Sequence, residues 1–260
     1  MESGRFQFGH AVVLVPPPAY PPGAALFEHQ TRCLGVGILE PSKPDDAAGS
    51  TPTAVPAAVP EEHSLLVAST AHCVWPAAYS LAVSLHAPIP AVDVRGCAVI
   101  ELGAGCGLPG LAAWRAGAES VCLTELPENL PRLQRLVDHN GARGAVRVEA
   151  LDWTRPLPEP IASRRWDVVL SADCVFWPEL FEPLLSTLEA LVHPKTRVIL
   201  AVSDRLGRCA DFEALAARRG WALTECRAGA LDGAPPLPPG VMPVPAAQPA
   251  PRLLMCARAT

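Results

Sequence analysis

From Ala98 to Arg219 the chain alternates short apolar runs with longer amphipathic ones, and this rhythm restricts the fold more than any other feature. Ala98 to Leu102, Ser120 to Leu126, Val146 to Leu151, Asp167 to Ala172 and Arg197 to Val202 read as strands. Leu108 to Ala116, Leu130 to Asn140, Pro178 to Leu191 and Asp211 to Arg219 read as helices, with Leu130, Leu133 and Val137 on one face of the second. Strands joined through helices cannot pair as hairpins. They cross over right-handedly into a mostly parallel sheet with both faces covered.

The flanks depart from the rhythm. Pro76 to Leu85 reads as a helix with Pro76 in its first turn. Trp221 to Arg227 and Arg252 to Arg258 read as strands joined by the Pro/Gly-rich stretch 229–251, and a connection without a helix favours an antiparallel pair. Near the start, Arg5 to Val15 reads as one strand because Phe6, Phe8, Val12 and Leu14 fall on even positions, and a second short strand is expected around Cys33 to Leu39. Pro41 to His63 is rich in small and turn-forming residues without a period. The expected organisation is therefore an N-terminal β extension over 1–40, a flexible insertion over 41–63 and a main α/β domain over 64–260.

Composition excludes several classes. Half of the 260 residues are hydrophobic and 18% are charged, enough apolar material for one sizeable core. A net charge of -5 offers no electrostatic footprint for nucleic acid or an anionic membrane, so neither is expected as a partner. The apolar run Ala11 to Val15 stops at Pro16, far short of a bilayer span, and no basic flank leads into an apolar stretch as in a secretory signal. Nine cysteines without a Cys-x-x-Cys pair read as buried reduced thiols, with no metal centre. A cytoplasmic location is expected, with the nucleus also open.

The motif richest in chemistry is Glu101-Leu102-Gly103-Ala104-Gly105-Cys106-Gly107-Leu108-Pro109-Gly110, which follows a strand and opens a helix. Glycines let the backbone turn sharply and approach a ligand, and the helix N-terminus beyond presents unpaired N–H groups. A dinucleotide fingerprint would need a glycine at Leu108. Here the third glycine is Gly107, and Glu101 precedes the first glycine by two. This arrangement resembles motif I of the seven-β-strand S-adenosylmethionine-dependent methyltransferases. The expected fold is accordingly α/β: a Rossmann-like seven-stranded sheet, mostly parallel, with an antiparallel C-terminal strand, helices on both faces and a short N-terminal β extension.

The likeness narrows when further segments are added: Val74-Trp75-Pro76-Ala77-Ala78, Thr124-Glu125-Leu126, Leu151-Asp152-Trp153 and Ala172-Asp173-Cys174-Val175-Phe176. With these, Val74 to Cys226 resembles the methyltransferase-like lysine methyltransferases of family 16. The resemblance implies S-adenosylmethionine as cofactor, bound through Trp75, Glu101, Gly103, Gly105, Gly107, Glu125, Asp152, Trp153 and Ala172. Glu125 would accept from the ribose hydroxyls, while Asp152 and Trp153 would frame adenine. It also implies that Asp173 and Phe176 flank methyl transfer. Many relatives carry Asp at Glu125 and Tyr at Phe176, so a phenolic hydrogen bond has no part in this chain's chemistry. The acceptor implied is a lysine of a non-histone protein, such as a translation factor or chaperone. A small-molecule methyltransferase and a non-catalytic cofactor-binding scaffold stay open as alternatives.

Overall fold

A computed structural model of the protein describes residues 71–204, 207–226 and 250–258, and the backbone of 4–8 and 11–15. The strand expected at Cys33 to Leu39 and the insertion 41–63 lie outside the described residues.

In chain order the elements are β1 (Gly4–Phe8), β2 (Ala11–Val15), α1 (Pro76–Leu85), β3 (Ala98–Leu102), α2 (Leu108–Arg115), β4 (Ser120–Glu125), α3 (Leu130–His139) and β5 (Val146–Ala150). There follow α4 (Glu159–Ala162), β6 (Val168–Ala172), α5 (Phe181–Leu191), β7 (Arg197–Val202), α6 (Cys209–Arg218), β8 (Trp221–Glu225) and β9 (Arg252–Arg258). Among the described residues no helix is long and apolar enough to cross a membrane.

Strands β3 to β9 form one seven-stranded sheet in the order β5-β4-β3-β6-β7-β9-β8. The pairs from β5 to β7 are parallel, and β9 runs antiparallel to both β7 and β8. The single strand expected over Arg5 to Val15 is instead an antiparallel pair, with Phe8 opposite Ala11. Alternation on even positions carries across Gly9-His10 unbroken, so periodicity alone could not see the reversal.

Side chains along each strand divide between two cores with a period of two, as a sheet covered on both faces requires. Val99, Leu123, Val168, Leu170 and Ile199 face one core, which Leu81 of α1, Leu111 of α2 and Leu133 and Val137 of α3 complete. Ile100, Cys122, Val169, Val198 and Leu200 face the other, with Ile161 of α4, Leu184 of α5 and Phe212 of α6. The Phe181 and Phe212 rings meet edge to face at 5.3 Å, clamping α5 to α6, a geometry worth about 1 kcal/mol beyond burial.

The direction of travel reverses at β3. The chain passes from β3 to β4 on one side, then returns to place β6 on the other side of β3. The carboxyl ends of β3 and β6 therefore flank the crevice where open α/β sheets bind ligands.

Candidate active site

The turn after β3 is made of bare backbone. Gly103, Gly105 and Gly107 all have left-handed φ, at 62°, 53° and 68°. A Cβ on Gly103 would stand 2.7 Å from Cys174 Sγ and 3.2 Å from the Trp153 ring, so only glycine lets these two side chains close on the turn. The turn is pinned to β4 by Ala104 N–H donating to Thr124 O at 2.9 Å and by Thr124 Oγ1 donating to Glu101 O at 2.7 Å.

An open cleft lies over this turn. Gly103, Ala104 and Gly105 of the turn line it together with Glu101, Glu125 and Trp153, and with Ala172, Asp173, Phe176 and Leu180 from the end of β6 and beyond. Ala71, Cys73, Val74 and Trp75, ahead of α1, complete the lining.

Two carboxylates at the turn are buried. Glu101 is 1% exposed, and its Oε2 accepts the Gly110 amide at 2.8 Å. Burial pushes its carboxyl up to about 8, against the Gly110 hydrogen bond. Glu125, at the end of β4, accepts from Gly105 N at 3.3 Å, Leu126 N at 2.5 Å and Asn129 Nδ2 at 3.1 Å. Burial raises its pKa too, although these donors oppose it. Oε2 is taken by Leu126 and Asn129, but Oε1, with Gly105 alone, keeps a further lone pair, so Glu125 can still accept from a ligand diol.

At the end of β6, Asp173 is the one non-glycine residue with a left-handed φ among the described residues, at 58°. Its amide donates to Ala201 O at 2.8 Å and its Oδ1 accepts from Ser203 N at 3.2 Å, so both backbone and carboxylate are held by the end of β7. An Asp in this conformation is tolerated but strained, and such strain gathers at functional sites. Phe176 follows, stacked obliquely on Trp177 with ring centroids 5.4 Å apart.

Of the residues singled out by sequence, Trp75, Glu101, Gly103, Gly105, Glu125, Trp153, Ala172, Asp173 and Phe176 all line this cleft. Gly107 and Asp152 are not in its wall. A Cβ on Gly107 would meet Leu123 and Leu133 at 2.9 Å, so that glycine serves packing of the turn on the core. Asp152 Oδ1 accepts from the Thr154 amide and hydroxyl at 2.9 and 2.7 Å, and Oδ2 pairs with Arg155 at 3.2 Å, which makes a local polar turn.

A family model described as lysine methyltransferase matches residues 61–217. The chain belongs to the lysine methyltransferase family. Among curated family relatives, zebrafish protein N-lysine methyltransferase METTL21A is 38% identical over 142 residues, 54% of this chain and 63% of that protein. Mouse EEF1A lysine methyltransferase 3 is 39% identical over 133 residues, 51% of this chain and 55% of that protein. The chain thus spans less than two thirds of the length of these two relatives. Human histone-arginine methyltransferase METTL23 is 32% identical over 150 residues, 57% of this chain and 77% of that protein. The fold also matches a solved methyltransferase from Pyrococcus furiosus, with a TM-score of 0.50 at 14% identity over 71% of this chain and 83% of that one.

The cleft contains residues to which the motifs had assigned no role. Cys106 and Cys174 line it, both buried, and burial pushes the Cys174 thiol up to about 12, too high for a nucleophile at neutral pH. Leu180 lines it from the turn ahead of α5, where an apolar residue following Pro178-Glu179 was the available signal. Arg132 of α3 reaches the residues ahead of α1; as one cation on a polar helix face, it carried no signal.

Proposed function

We propose that the chain binds S-adenosylmethionine in this cleft and transfers its methyl group to a lysine side chain of a protein. One observation carries the reading: the bare glycine turn after β3 and the strained Asp173 after β6 open into the same cleft, at the reversal point of the sheet. The residues present suit the donor. Gly103 and Gly105 bring bare backbone to the cleft wall, Glu125 offers a lone pair on Oε1 to the ribose diol, and Trp153 offers its ring to adenine. The adenine-binding role rests on Trp153, since the Asp152 carboxylate is committed to Thr154 and Arg155.

When bound, S-adenosylmethionine supplies an electrophilic methyl group on a sulfonium. The protein's task is to align an amine with it, which is a proximity effect. A lysine amine, with an unperturbed pKa of about 10.4, arrives mostly protonated. Phe176 and Leu180 strip water from its stem and favour the neutral form, while Asp173 attracts and orients the head. Asp173 acts chiefly in positioning, because a carboxylate beside an ammonium opposes proton loss.

The human relative named as an arginine methyltransferase favours a second reading, an arginine acceptor. A guanidinium is recognised best by a two-pronged carboxylate fork. The carboxylate nearest Phe176 in sequence is that of Asp173, whose Oδ1 already accepts from Ser203, and this suits an ammonium better. A translation elongation factor is the first acceptor to try, given the name of the mouse relative.

Calorimetric titration with S-adenosylmethionine and with a nicotinamide dinucleotide tests the donor. The expected result is a Kd on the order of 1 to 10 µM for the former and no binding of the latter. Incubating a cell lysate with labelled donor then separates the alternatives. Label in a protein band supports the proposal, label confined to low-molecular-weight material supports a small-molecule enzyme, and binding without any transfer supports a scaffold.

A further inference from the structure

Ala71, Cys73, Val74 and Trp75 form the part of the cleft wall that leads into α1. Ala71, His72 and Cys73 belong to no helix or strand, and side chains from elsewhere tie them to the domain. Arg132 Nη1 donates to Ala71 O at 3.1 Å, and Nη2 donates to His72 O at 3.3 Å. The same two nitrogens lie 3.6 and 3.7 Å from Cys106 Sγ, and the Cys106 thiol donates to Ala71 O at 3.5 Å. Gly105 completes the joint, since a Cβ there would stand 3.4 Å from Ala71 O and 3.5 Å from its Cα. One guanidinium thus joins α3, the glycine turn and two successive carbonyls of the cleft wall.

We propose that Arg132 is a positioning residue for the methyl donor: its fork straps the wall from Ala71 to Trp75 onto the glycine turn and thereby sets donor affinity. The proposal rests on the donor reading of the cleft given above. A planar guanidinium can serve two carbonyls in one geometry, whereas a lysine ammonium is a point charge on a flexible stem and holds one well. Arg132 itself is not in the cleft wall, so it acts through the segment it holds.

The test is titration of S-adenosylhomocysteine into the full chain and its Arg132→Ala and Arg132→Lys variants, paired with hydrogen exchange of the unliganded proteins. Arg132→Ala should weaken binding about tenfold, the scale of losing hydrogen bonds from a charged donor, and Arg132→Lys about threefold. Exchange should quicken in the amides of residues 72–75 and stay as in the wild type in β3 and β4. Equal affinity in all three proteins overturns the proposal. So does an equal loss in both variants with exchange quickened throughout the sheet, which would make Arg132 a general stabiliser. A wild-type protein that binds no S-adenosylhomocysteine fails the donor reading itself, and this proposal with it.

Discussion

Glu101 Oε2 accepts the amide proton of Gly110 at 2.8 Å, so the carboxyl group near the end of β3 caps the first turn of α2 from inside the domain. The contact exists because Gly110 has no side chain: a Cβ there would lie 2.7 Å from Glu101 Oε2 and 2.2 Å from Leu123 Cδ2. The acidic residue and the last glycine of the motif are therefore one device that sets how closely α2 approaches the sheet.

Gly110→Ala should accordingly destabilise the fold, even though alanine is the better helix former. Overpacking of this kind costs about 1–3 kcal/mol, more than the ~1 kcal/mol gained in helix propensity. Thermal unfolding should show a clear fall in Tm. An unchanged or raised Tm would mean that Leu123 yields freely.

Glu101 also makes stability depend on pH. Its carboxyl is raised from 4.5 to about 8 in the folded protein, so across that window the unfolded chain gives up a proton that the folded chain keeps. The stability that Glu101 contributes must then fall as pH rises from about 4.5 towards about 8, and level off above. Glu101→Gln keeps an acceptor for Gly110 and stays neutral, so its stability relative to the wild type should grow with pH through this range. Denaturant melts at several pH values check this, and a constant difference between the two proteins would refute it.

Gly105→Arg should abolish donor binding while leaving the protein folded. The side chain would start 3.4 Å from Ala71 O on a backbone with φ of 53°, a strain of about 1–2 kcal/mol, and would occupy the cleft. Circular dichroism with S-adenosylhomocysteine titration decides it. A folded variant with normal affinity would move the donor away from this turn.

Asp173→Asn separates acceptor chemistry from folding. Asparagine tolerates a left-handed φ, and its amide oxygen can accept from Ser203 N as Oδ1 does, so the fold and donor affinity should stay within a fewfold of the wild type. Methyl transfer should fall by about a hundredfold or more, as for a misplaced reacting group. Unchanged transfer would place the acceptor elsewhere.

Much of this was legible in the sequence because strands buried on both faces and helices buried on one leave different periods. Ala98–Leu102, Arg197–Val202, Arg252–Arg258 and Pro76–Leu85 fall where their patterns put them. Pattern does not encode sheet order, so the insertion of β9 between β7 and β8 had no local signal. On α3, Leu136 is buried while Leu130, directly after the turn Pro127–Asn129, is only half buried. At the site, residues next to glycine or at strand ends could be read from the chain. Arg132 could not, because its role comes from carbonyls sixty residues away in sequence.

The most direct test of the central claim is to label lysate protein with this chain and methyl-labelled S-adenosylmethionine, hydrolyse the labelled band and identify the methylated amino acid. Methyl-lysine is expected, reduced about a hundredfold with Asp173→Asn. Methyl-arginine in its place, or label that Asp173→Asn leaves undiminished, would contradict it.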